Sequence, residues 1–149
     1  MKRFIAAFLL FACSSLLSSA FAQAKPEDAI KYRRGVFSVI GWNFGPMAAM
    51  AKGDRPYDAA DFARRAEIVA FMSKLPAEGF VEGSESGDTK AKPEIWLEMD
   101  DFKAKLEKMQ AEAAKLAEVA KKGDLAAAKA QLGETGKACK ACHDKFRNK

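Results

Sequence analysis

The 149-residue chain carries 25 lysines and arginines against 20 aspartates and glutamates, a net charge of +5 with the two signs interspersed. A mild, scattered excess of that kind excludes the basic stripe of a nucleic-acid binder. The length fits one domain around a single core, and three cysteines with one histidine narrow the possible metal chemistry.

The first element is a targeting signal. Lys2 and Arg3 precede "FIAAFLLFACSSLLSSAFA", an apolar run that thins into small residues and closes on Ala20-Phe21-Ala22. A basic start, a short apolar core and an A-x-A end describe a cleaved secretory signal over residues 1–22. Serines interrupt the run, so it is a poor lasting membrane span. The bulky Phe11, two residues before Cys13, argues against a lipid anchor there. The expected mature domain is then residues 23–149, in the periplasm, with 23 basic and 20 acidic residues and two cysteines, Cys139 and Cys142. An oxidising compartment drives a free thiol pair towards a disulfide unless other chemistry claims it.

No stretch of the mature chain alternates apolar and polar residues with β-branched enrichment. Four helical segments are expected instead. The first runs from Pro26 to Lys52, with Glu27 and Asp28 in its first turn. Gly53 and Pro56 end it, and Gly45-Pro46 should bend it. The second spans 58–75 and stops at Pro76. The loop "PAEGFVEGSESGDTKAK", residues 76–92, follows. The third runs from Pro93 to Lys122; its Phe102, Leu106, Met109, Ala113, Leu116 and Ala120 step by four and three, a seam for neighbouring helices. The fourth starts after Gly123 with Asp124 as N-cap. Leu125, Ala128, Leu132, Thr135, Cys139, Cys142 and Phe146 form its seam. Short links at 53–57 and 123 make neighbours antiparallel. The expected fold is all-α, an antiparallel up-down-up-down four-helix bundle.

The last helix carries the chemistry. Cys139-Lys140-Ala141-Cys142-His143 is the attachment signature of c-type haem. On a helix, positions i, i+3 and i+4 share a face. Two thiols so placed can each form a thioether, and His143 can offer a ring nitrogen to the iron. Three other readings compete. A plain disulfide leaves His143 without a role. Zinc wants about four ligands where only two cysteines and a histidine stand. A thioredoxin-like pair needs a preceding strand. With no second histidine, a bis-histidine haem is excluded on this reading; methionine remains possible as a sixth ligand, from Met47, Met50, Met72, Met99 or Met109, and each is otherwise a core residue.

Taken with this motif, "KPEDAIKYRR" at 25–34, "RPYDAADF" at 55–62, "KPEIW" at 92–96, "GDL" at 123–125 and "CKACHDKFR" at 139–147 resemble the cytochromes c′ over essentially the whole mature chain. The resemblance implies one covalently attached haem c with five-coordinate, high-spin iron ligated by His143. It implies an apolar distal side closed by Phe37, with Arg33 at a haem propionate, Phe80 and Phe102 lining the pocket, and Arg147 on the proximal side. Methionine-ligated relatives place that methionine early in the first helix; residues 23–44 contain none. Met47 lies ten residues past Phe37, about 15 Å along a helix.

The family implies a protein that binds nitric oxide and carbon monoxide, rejects dioxygen and is not an enzyme. Bound dioxygen gains negative charge and profits from a distal hydrogen-bond donor, which Phe37 lacks. A redox partner, which the sequence does not identify, and a homodimer through the first two helices are also implied. Val39, Ile40 and Trp42 would supply the apolar surface for that dimer. The alternative is a low-potential periplasmic electron carrier with no physiological gas ligand.

Overall fold

A computed structural model describes residues 24–149; the expected signal at 1–22 and Cys13 lie outside them. The described chain is α-helical with one isolated β-bridge. In order come α1 (Pro26–Lys52), α2 (Ala59–Met72), a 3-10 turn (Pro76–Gly79), the short α3 (Glu94–Leu97), α4 (Met99–Ala120) and α5 (Leu125–Phe146). The four long helices form the expected bundle. α4 packs most extensively on α5, α1 on α2 and α2 on α4, while α1 and α5 meet more sparsely.

The helix ends follow local rules. Gly53 takes a left-handed conformation (φ 87°) and its N–H returns to Ala49 and Met50, the usual stop for a helix. Asp58 caps α2 by accepting from the Asp61 N–H at 3.0 Å, and Asp124 caps α5 through Ala127 at 3.0 Å. Each such cap is worth about 1 kcal/mol. α1 continues without a break through Pro46. The carbonyl that Pro46 leaves without a donor belongs to Trp42, which is 79% exposed, so water can meet it.

Two expected helix boundaries are corrected by the structure. The third helix does not run unbroken from Pro93: Glu98 leaves helical geometry (φ −125°, ψ 46°) and separates α3 from α4. α3 is tied down from outside, since Trp96 Nε1 donates to Val81 O at 3.1 Å and Lys145 pairs with Glu98 at 2.5 Å. The second helix ends at Met72, because the chain tightens into a turn before Pro76.

The α4 seam is buried at all six expected positions. On α5, Leu125 is exposed in the first turn, while Ala128, Leu132, Thr135 and Phe146 are buried. The larger core joins Val36, Ile40, Met47 and Met50 to Phe62, Val69, Ala113 and Leu116. A second cluster, Ile95, Phe102, Leu106, Met109, Ala138 and Phe146, fills the other end.

Glu112 clamps α4 to α5. Its carboxylate accepts from Gln131 Nε2 at 2.7 Å and from Lys108 Nζ at 2.7 Å, and its backbone carbonyl accepts from Thr135 Oγ1 at 3.1 Å. These donors, Lys108 and Gln131 first, hold its pKa down to about 2. An unfolded glutamate titrates near 4.3. The depressed folded value means that this stabilisation is full above the unfolded pKa and is lost as pH falls from about 4.3 towards 2. Glu112→Gln is expected to flatten the acid limb of a stability-versus-pH curve in that window; an unchanged limb would remove Glu112 from the acid response.

Candidate functional site

The antiparallel order sets the start of α1 beside the end of α5. Between them lies a cavity of about 930 Å³, within the range of ligand pockets. Arg33, Phe37, Ile40 and Phe44 supply its α1 side, stepping by four, three and four along one helical face. Gly136, Cys139, Cys142, His143 and Phe146 supply the α5 side.

Both thiols are free and half-buried. Burial raises the pKa of each and pushes Cys142 up to about 11. A thioredoxin-like pair opens a helix after a strand; here both cysteines stand near the end of α5, and among the described residues no strand precedes it. Among the described residues no cluster of three or more histidine, cysteine or acidic groups is arranged to hold a metal ion. His143 stands at the open side of the cavity. Partial enclosure by the protein, then the Arg147 charge, lowers its pKa, and Asp144 opposes them.

Phe80 and Phe102 meet at 4.6 Å between ring centroids, and Phe102 meets Phe146 edge-on at 5.5 Å. They form an aromatic wall that joins the second core cluster to the cavity. Phe37 is half-buried, lines the cavity and packs against the larger core. Of the five methionines considered as ligands, only Met109 reaches the cavity wall; Met47 and Met50 are buried in the larger core. Lys140 and Asp144 are exposed at the rim and pair with each other.

Arg33 is 2% exposed. Its Nη1 donates to Gly79 O and to Ser84 Oγ, both at 2.7 Å. Its Nη2 donates to Ser84 O at 2.6 Å and to Thr89 Oγ1 at 3.0 Å. The guanidinium carbon lies 4.7 Å from the Phe80 ring centre and 5.5 Å from that of Trp96, both within cation–π range. Every hydrogen-bond partner is a neutral oxygen, and burial lowers its pKa. Arg33 is thus a buried cation without a carboxylate. The neighbouring Arg34 is exposed and pairs with Asp88. Gly79 is required here, since a Cβ would meet Arg33 Cβ at 2.7 Å and Ala29 O at 3.0 Å.

Ser84 and Thr89 had no signal in the sequence, and Trp96 stood in the "KPEIW" stretch without an assigned role. "EGSESGDT" reads as a solvated loop, yet Ser84 is fully buried. Arg147 is exposed on the cavity rim, and its backbone pairs with Ala91.

Thiols at i and i+3 with an imidazole at i+4, on the wall of a mostly apolar cavity that also holds a buried cation, fit a haem that is tethered, ligated and carries carboxylates. Fold and site together define a c-type cytochrome of the helical-bundle class. The chain belongs to the cytochrome c′ family: the family model described as Cytochrome C' matches residues 28–147. Members of this family carry covalently bound haem c. The cytochrome c' of Rubrivivax gelatinosus is 47% identical over 126 residues, covering 84% of this chain and 98% of that one. The structure of cytochrome c prime from Shewanella frigidimarina superposes with a TM-score of 0.82 at 47% identity, covering 84% of this chain and 98% of that one. A nitric oxide complex of a leucine-to-isoleucine mutant of cytochrome c prime from Alcaligenes xylosoxidans superposes at 0.78 with 42% identity, covering 85% and 98%.

Proposed function

We propose that this chain is a periplasmic haem protein that captures nitric oxide, and carbon monoxide by the same route, while discriminating against dioxygen. Cys139 and Cys142 hold the haem through thioethers, His143 is its axial ligand, and Arg33 meets a propionate. When bound, haem c supplies an iron with one coordination position left for a diatomic ligand. The observation that carries the reading is the α1 side of the cavity. Phe37, Ile40, Gly41 and Phe44 present no polar side-chain atom there, and Ser38, the hydroxyl on that side, is exposed. The one buried donor on that side, Arg33, is engaged by Gly79, Ser84 and Thr89, so the stretch around Phe37 withholds the hydrogen bond that stabilises bound dioxygen, whereas nitric oxide needs none. Phe37 acts as a steric gate, because an incoming ligand must turn its ring aside.

Pushing a side chain off its rotamer costs about 0.5–1.5 kcal/mol, so the gate is worth up to roughly tenfold in affinity. Phe37→Ala is expected to raise both the affinity and the on-rate for carbon monoxide by up to that factor, measured by flash photolysis of the reduced protein. Unchanged constants would remove Phe37 from the distal position.

A second reading, the low-potential electron carrier, has one observation in its favour, the place of Met109 on the cavity wall. The two readings part on the absorption spectrum of the reduced protein. A high-spin spectrum that shifts with nitric oxide supports gas binding; a sharp low-spin spectrum supports methionine ligation and defeats it.

A homodimer through α1 and α2 is supported by Val39, Trp42 and Phe71, which are 39%, 79% and 64% exposed. Ile40 takes no part, being buried in the core.

A further inference from the structure

The loop between the 3-10 turn and α3 touches both sides of the cavity. On one side, Arg33 Nη2 donates to Thr89 Oγ1 at 3.0 Å. The same oxygen accepts the backbone N–H of Ala91 at 3.0 Å. Ala91 forms an antiparallel bridge with Arg147. Two backbone bonds flank that bridge: Lys92 N–H to Phe146 O at 3.0 Å, and Asn148 N–H to Lys90 O at 2.8 Å. Finally, the Arg147 N–H donates to His143 O at 3.1 Å. A continuous polar path therefore runs from a buried cation on α1 to the residue that closes α5, one turn past His143.

Thr89 Oγ1 is the one side-chain acceptor shared by the two limbs of that path. A hydroxyl oxygen has two lone pairs, and here one serves Arg33 and the other Ala91. The β-branch restricts χ1, so the oxygen stays between its donors. We propose that Thr89 is a positioning residue: it locks residues 90–92 in register on residues 146–148 and thereby sets where Arg147 stands on the His143 side of the cavity. The consequence for the iron ligand rests on the haem reading above; the register itself does not.

Ser84 is the internal control. It too holds Arg33, at 2.7 Å, and its hydroxyl donates to Val81 O at 2.7 Å. It has no hydrogen bond to Ala91 or to the C-terminal residues. Removing either hydroxyl loosens the Arg33 cage, but only loss of the Thr89 oxygen cuts the path to Arg147.

The experiment compares Thr89→Val, Thr89→Ser and Ser84→Ala in the full holoprotein. Amide hydrogen exchange is followed at Lys92 and Asn148, together with the iron–His143 stretching frequency of the reduced protein by resonance Raman. Thr89→Val is expected to speed exchange at both amides roughly ten- to a hundredfold, the scale of one lost hydrogen bond to a charged group, and to shift the stretching frequency. Thr89→Ser is expected to restore both, and Ser84→Ala to leave both at their starting values. Equal effects of Thr89→Val and Ser84→Ala, or no change in exchange with Thr89→Val, would overturn the proposal. If the valine variant does not fold, Thr89→Ala, which brings no extra methyl against the cage, is read in its place. Lack of any haem signal in the unaltered protein would defeat the haem reading, and the exchange rates would still decide the role of Thr89.

Discussion

With serine at both 139 and 142, the purified protein is expected to have the mass of the polypeptide alone, while the unaltered protein carries one additional haem mass. Each single variant is expected to keep haem through its remaining thioether. The reason is geometric: both thiols stand on the cavity wall one turn apart, so each can bond independently. The double variant should also lose stability. Without haem, the apolar walls of a cavity of about 930 Å³ lose the group that packs against them, and the site must flood or collapse. Thermal unfolding should record a lower, broader transition. An unaltered protein whose mass equals that of the chain less two hydrogen atoms would instead establish a plain disulfide and end the haem reading.

Arg33→Met is the second large effect. It leaves Ser84 Oγ and the carbonyls of Gly79 and Ser84, all on buried residues, without their donor. Buried polar groups stripped of a partner cost about 1–3 kcal/mol each. Relief from burying an unpaired charge offsets part of that loss. The net destabilisation is expected to be about 2–4 kcal/mol, read from denaturant or thermal unfolding. Arg33→Lys should recover little, because an ammonium is a point donor and cannot span Gly79, Ser84 and Thr89 at once. An Arg33→Met protein as stable as the original would show that the cage is decorative and that the 80–92 loop is held by other contacts.

Much of the molecule was legible in advance, for a physical reason. Helix ends at Gly53, Asp58 and Asp124 depend on groups within four residues of each other. The α4 seam depends on a repeat of three and four. Cys139, Cys142 and His143 share a face because a helix has 3.6 residues per turn. Such features need no knowledge of the rest of the chain.

What the sequence could not settle lies at long range. The four acceptors of Arg33 are 46 to 56 residues away from it; by sequence alone it could be an outward arginine, and Ser84 and Thr89 were loop residues. The break at Glu98 comes from the hold of Val81 and Lys145 on either side of it, not from a local breaker. Met109 lines the cavity while Met47 is buried in the larger core, and Ile40 turns inward while Val39 and Trp42 stay out.

The sequence by itself determined four helices, their antiparallel order and a haem-attaching C-terminal turn, since all three follow from periodicity and short links. Only the tertiary structure decided that the opening between α1 and α5 becomes the cavity, that its cation is buried without a carboxylate, and that a loop ties the two sides together. Those outcomes depend on packing and on hydrogen bonds between residues far apart in the chain, and no local pattern encodes them.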